Sequence, residues 1–338
     1  MNNSTTTPPI KARSQSAQKS RLWLAIASVI LLILFIFTLL NRVAVIDTFK
    51  GIGYNPTPDM LTIKTSLALT PDGTRIWNAT RPLLASRDNF NDSCESHDGA
   101  VSVLGCYTGD RIYVYNVDEP DLAGIRESTS AHELLHAIWS RLSGYEKTQL
   151  IPTLESVYSA HPELQDTIES YSADEQLDEL YVRIGTQIAD LPESLEAHYA
   201  RYFSDQDAIV TFYNAYIKPF NELNAEIESL KQELETAEQE IKTKSAALDT
   251  RLEALETQID EFNHCAETAG CFASSWAFSA RRAELVAEQQ AINAENDAIN
   301  HLIDAYNQKV DTYNSHLLRS SELQNLINSN SPETKIEE

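Results

Sequence analysis

The sequence predicts an α+β fold in which helix outweighs sheet. Three observations carry that expectation: β-favouring runs are confined to residues 66–116, helical patterns follow from residue 130 onward, and a heptad repeat nearly free of Gly and Pro fills the last third. An apolar N-terminal segment precedes them all. At 338 residues the chain suffices for one globular domain plus an accessory part. Its 26 Lys and Arg against 50 Asp and Glu give a net charge of −24. A surface this acidic lacks the cations that release counterions from nucleic acid, so a nucleic-acid partner is excluded.

Residues 1–21 form a basic tail with Lys11, Arg13, Lys19 and Arg21 and no acidic residue. Residues 22–40 (LWLAIASVILLILFIFTLL) contain no charge, Pro or Gly. As a helix this stretch reaches ~28 Å, one hydrocarbon core. A removable signal would have a shorter apolar run and a small-x-small site, whereas Asn41-Arg42-Val43-Ala44-Val45 follows. The segment reads as an uncleaved transmembrane helix. The tail's positive charges place the N-terminus in the cytoplasm, giving a single-pass cell-membrane protein whose remaining domains are extracellular. Residues 41–218 form the expected globular domain, residues 219–328 the accessory part and residues 329–338 a flexible tail. Four cysteines fall as two close pairs, Cys94 with Cys106 and Cys265 with Cys271, which fits local disulfides outside the cytoplasm.

Within the globular domain, Pro71-Asp72-Gly73 stands between residues 66–70 and 74–77 and predicts a β-hairpin. Residues 111–116 (RIYVYN) predict a further strand. Ser130, three residues before Glu133, predicts a capping box that starts a helix, and Gly144 predicts its end. Prolines at 152, 162, 192 and 219 punctuate the later helical patterns. Beyond Pro219 the apolar series Phe220, Leu223, Ile227, Leu230, Leu234, Ala237 and Ile241 is a heptad seam. It resumes at Leu248, Leu252, Leu255, Ile259 and Phe262 after an expected stutter at residues 244–247. A second seam runs through Leu285, Ile292, Ile299, Ile303, Tyr306, Val310, Tyr313 and Leu317, with Gln289 and Asn296 expected in it. Together they predict an antiparallel coiled-coil hairpin stapled at its tip by Cys265 and Cys271.

The chemistry concentrates in His132-Glu133-Leu134-Leu135-His136. On a helix, residues four apart share a face, so both imidazoles can reach one zinc ion. Glu133, one position after the first histidine, suits a base acting on bound water. Chance supplies such a pattern about 0.02 times in a chain of this composition.

This pattern resembles the zincin metallopeptidases, over roughly residues 110–185. Trp139 and Leu142 stand where the metzincin branch needs Gly and His, so the likeness is to the gluzincins, whose third zinc ligand is a glutamate on a later helix. The resemblance implies a membrane-anchored zinc metallopeptidase with a minimal zincin-like domain. Glu179, in Asp178-Glu179-Leu180, is the favoured third ligand and Glu175 the alternative; Arg183 departs from the family's acidic residue four places on. His132, His136 and Glu179 would then hold zinc while Glu133 serves as catalytic base on a peptide or protein substrate. Tyr181, His198, Tyr199 and Tyr202 are the oxyanion-stabilising candidates, and residues 111–116 the strand expected to pair with extended substrate. Ser96-His97-Asp98 has a triad's letters, but adjacent residues point apart. A reading from another class makes this a non-catalytic envelope protein that engages a protein partner through its hairpin, with an inactive zincin-like domain. The intact Glu133 favours catalysis.

Overall fold

The computed structural model describes residues 15–94 and 103–330. Lys11 and Arg13 of the basic tail, Ser96-His97-Asp98 and the last eight residues lie outside them. In chain order the elements are α1 (Gln15–Leu40), α2 (Arg42–Gly51), α3 (Pro58–Ser66), α4 (Pro71–Thr80), β1 (Leu83–Ala85), α5 (Arg87–Ser93), β2 (Gly105–Tyr107) and β3 (Ile112–Tyr115). Then come α6 (Ile125–Trp139), α7 (Gly144–Ala160), α8 (Gln165–Glu169), α9 (Gln176–Gln187), α10 (Glu193–Tyr199), α11 (Gln206–Glu267) and α12 (Ser275–Ile327). The protein is mostly helical with one small sheet. Its contacts divide it into two units, residues 1–118 with 123–214, and residues 119–122 with 215–338.

In the first unit, α1 carries the apolar stretch Leu22–Leu39 with its side chains exposed, as a helix without a protein core around it must. The sheet order is β1-β3-β2, with β3 central, parallel to β1 and antiparallel to β2. β3 is therefore paired along both edges, which corrects the expectation that residues 111–116 receive substrate; among the described residues β1 and β2 are the two edge strands. Helix α6 crosses β2 and β3 and packs on α9, α3 and α4. Leu134, Leu135, Ala137 and Ile138 are fully buried in that contact.

Three local expectations are overturned by helix-capping chemistry. Pro71-Asp72-Gly73 opens α4 instead of turning a hairpin: Thr70 Oγ1 accepts the Gly73 N–H at 3.2 Å, Pro71 sits where no N–H is needed, and Asp72 lies in the first turn. Ser130 does not cap α6. That helix starts five residues earlier, after Gly124, whose φ of +92° suits glycine and breaks the preceding chain. The capping box belongs to Ser143 and Glu146, so Gly144 begins α7 instead of ending α6. Pro152 lies inside α7. Cys94 and Cys106 form one disulfide, joining the end of α5 to β2.

The second unit is the helical pair. Glu226 faces His316 (3.1 Å), Glu233 faces Lys309 (2.9 Å) and Arg251 meets both Glu288 (2.7 Å) and Glu295, so partner numbers fall as the chain rises and the helices are antiparallel. Leu248 and Leu255 bury against Leu285, Ile292 and Ile299. Positions 220, 227, 234, 241, 248, 255 and 262 are all at least half-buried at an unbroken seven-residue interval, so no stutter interrupts α11. Leu252 is exposed, and counting it as a seam residue created the apparent phase change. Gln289 and Asn296 are exposed too; the polar seam residues are Glu288 and Glu295, which face Arg251. Pro219 lies within α11. Cys265 and Cys271 form the second disulfide, at the tip, beside a cluster of Phe262, Phe272 and Phe278.

Candidate metal centre

His132 and His136 stand one turn apart on α6, because Leu134, Leu135 and Ile138 commit the opposite face to the core. Glu179 arrives from the first turn of α9, which packs directly on α6, and is 3 % exposed. His132 Nε2 lies 3.3 Å from His136 Nε2 and 3.8 Å from Glu179 Oε2; His136 Nε2 lies 3.4 Å from that same oxygen. Tetrahedral zinc with ligands at ~2.1 Å separates its donors by about 3.4 Å. The three donor atoms thus already hold the edges of such a site, and two imidazoles with one carboxylate are a donor set that zinc accepts.

Both kinds of donor are braced. His136 Nδ1 donates to Asp178 Oδ1 at 2.9 Å, which fixes the ring so that Nε2 points toward His132 and Glu179. Arg183, one turn along α9, pairs with Glu179 Oε1 and leaves Oε2 to face the histidines. Burial alone disfavours charge on all three groups, and the outcome differs among them. Burial pushes His132 down to about 3. At His136 burial is outweighed by the hydrogen bonds to Asp178 and Glu179, and its pKa rises to about 10. At Glu179 burial is outweighed by the histidines and Arg183, which hold the carboxyl below the usual carboxylate range.

Glu133 is 5 % exposed, and desolvation lifts its carboxyl to about 7 against the opposing pull of His136 and a hydrogen bond from the Tyr107 backbone N–H. Its place depends on Gly105 in β2. A methyl group there would come within 2.7 Å of Glu133 Cγ and 2.8 Å of its Oε1, so only glycine lets strand and carboxylate meet this closely.

The other candidates lie elsewhere. Glu175 is exposed at the start of α9 and receives the Ser172 hydroxyl. Tyr181 and Tyr199 are fully buried; the Tyr181 hydroxyl pairs with His198 Nε2 at 3.0 Å and the Tyr199 hydroxyl with the Tyr181 carbonyl at 2.7 Å. Tyr202 meets His198 edge-to-face. The polar groups of Tyr181, His198 and Tyr199 are thus engaged inside a packing cluster that Tyr202 joins, which argues against Tyr181 and Tyr199 as oxyanion stabilisers. Sequence reasoning missed Asp178 as the histidine's brace and Gly105 as the seat of Glu133. A glycine beside a β-favouring run was the available signal for the second.

Comparison with protein families, with characterised proteins and with solved structures finds no match to this chain. The site therefore rests on its own geometry: a buried His-His-Glu group able to hold a metal ion, with a second buried carboxylate beside it.

Proposed function

We propose that this chain is a membrane-anchored zinc metallopeptidase of gluzincin type, which hydrolyses peptide bonds outside the cytoplasm. The convergence of His132, His136 and Glu179 at tetrahedral-edge distances, with Glu133 buried next to them, carries the reading. Bound zinc supplies a water with its pKa brought to about 7 and a Lewis acid for the peptide carbonyl. Glu133 accepts the proton of the attacking water on its carboxylate and returns it to the leaving amine. Desolvation, which holds this carboxyl near neutrality, suits a group that must both take and give a proton. Asp178 keeps His136 in the orientation that ligation needs, and Arg183 neutralises the far oxygen of Glu179. The outer edge of β2, which has no strand partner among the described residues and lies beside Glu133, suits an extended substrate that adds as a strand.

The apolar α1 acts as the anchor in this reading, with the N-terminus cytoplasmic and the disulfide-bearing remainder outside, where an oxidising compartment maintains both bonds. The hairpin, which follows the peptidase domain in the chain, serves as a spacer or as an arm for a protein partner. Glu133→Gln is the direct test: hydrolysis of a protein substrate falls by a factor on the order of 10² or more while zinc stays bound. Undiminished hydrolysis in that variant rejects the mechanism. A zinc-loaded wild-type chain that cleaves no offered polypeptide transfers the function to the hairpin.

A further inference from the structure

Helix α2, the first element after the apolar span, has two opposed faces. Asp47 turns inward at 3 % exposure and receives Arg141 on both oxygens, Nε to Oδ2 at 2.9 Å and Nη2 to Oδ1 at 3.0 Å. Arg141 also donates from Nη1 to the Tyr107 hydroxyl at 3.0 Å and to the Ala137 carbonyl at 2.7 Å. The guanidinium thus fastens α2 to the end of α6 and to β2, the elements that hold His136 and flank Glu133. On the outer face Val43, Ile46 and Phe49 are 40 %, 52 % and 69 % exposed at successive helical steps of three, and Ile52, 65 % exposed, follows directly. Exposed Arg42 lies on the same side of the helix, and Lys50 pairs with Asp110 at 2.7 Å.

We infer that the outer face of α2 lies in the interfacial region of the bilayer, so that its partner is a lipid surface. This rests on the membrane-anchor reading of α1. Only residue 41 separates α1 from α2, so the chain has no length in which to leave the membrane surface before α2 begins. A row of large exposed apolar side chains accompanied by a cation is a pattern by which a helix lies in the headgroup and upper acyl layer. The row is also continuous in sequence with the span, and Ile46 and Phe49 turn away from the side that Asp47 commits to the domain.

Nitroxide labelling of the full chain in phosphatidylcholine–phosphatidylglycerol vesicles tests this. All four native cysteines are in disulfides, so Ile46→Cys, Phe49→Cys and Tyr145→Cys each offer one label, the last at an exposed position on α7. Labels at 46 and 49 collide with molecular oxygen in preference to a water-soluble nickel chelate by a ratio several-fold above that of the label at 145. A ratio equal to that at 145 overturns the inference. Exclusion of both reagents, with dipolar broadening that vanishes on dilution with unlabelled chain, also overturns it and makes the face a contact between copies. Release of the chain from vesicles by alkaline carbonate removes the anchor reading itself, and is distinguished from the first two results because those require retained protein.

Discussion

At the scale of single residues, the site separates ligands from the groups that support them. Glu179 contributes the oxygen that faces both histidines, whereas Glu175 is solvated one turn earlier and bonded to Ser172. Glu179→Ala empties the site, while Glu175→Ala retains stoichiometric zinc. Asp178→Ala falls between them, weakening metal affinity or activity ~10–100-fold as loss of a histidine's brace does. Metal titration of the three variants ranks them, and the reverse order for 179 and 175 reassigns the ligand. Gly105→Ala forces Glu133 out of its seat without touching a ligand, so turnover falls while zinc content is unchanged. His198 supplies a pH test away from the metal. Burial holds its pKa at about 4, below the ordinary 6.5, so the folded state binds fewer protons than the unfolded chain between those values. Stability is then full above pH ~6.5 and declines as the pH drops toward 4, by at most about 3 kcal/mol, as urea unfolding across that window measures. His198→Gln flattens that part of the profile.

At the scale of elements, the sequence was most legible where structure is local. The four-residue spacing of His132 and His136 fixes a shared helix face by geometry alone, and the seven-residue interval fixed the two long helices and their antiparallel return. Pro71-Asp72-Gly73 was misread because the same three residues suit a tight turn and the first turn of a helix. What decides between them is the Thr70 hydroxyl on the Gly73 N–H. Thr70→Ala accordingly costs ~1 kcal/mol in equilibrium unfolding, as loss of an N-cap does. The starting point of α6 was missed because Ser130 and Glu133 have a capping box's spacing, whereas the backbone break lies at Gly124. In the hairpin, Ile292 is 2 % exposed against Leu248 and Leu255, but Ile303 is 37 % exposed. Ile292→Ala destabilises by ~2–4 kcal/mol and Ile303→Ala by well under that, read from far-UV circular dichroism of the full chain in denaturant. Equal effects would return the seam to the phase that sequence alone suggested.

At the scale of the whole molecule, one chain joins an apolar N-terminal helix, a helical domain built around α6 and a long stapled hairpin. Glu179 became a candidate through resemblance to a family, since nothing in a chain this acidic distinguishes one surface glutamate from another. Folding distinguishes it by bringing α9 across α6 and burying a single carboxylate of that run against two histidines. The edge strand could not be read at all, because strand order is a property of the assembled sheet. Orientation is testable through the tip disulfide: after mild reduction of intact cells, a membrane-impermeant thiol reagent labels Cys265 or Cys271, and labelling only after lysis reverses the topology. The central claim is that α6 and α9 together build a zinc site. Elemental analysis of the full chain, purified in detergent without added metal and compared with Glu179→Ala, tests it most directly. The account predicts about one zinc per wild-type chain and close to none in the variant. Wild-type protein that neither carries nor takes up stoichiometric zinc, or a Glu179→Ala chain that keeps it, contradicts the account.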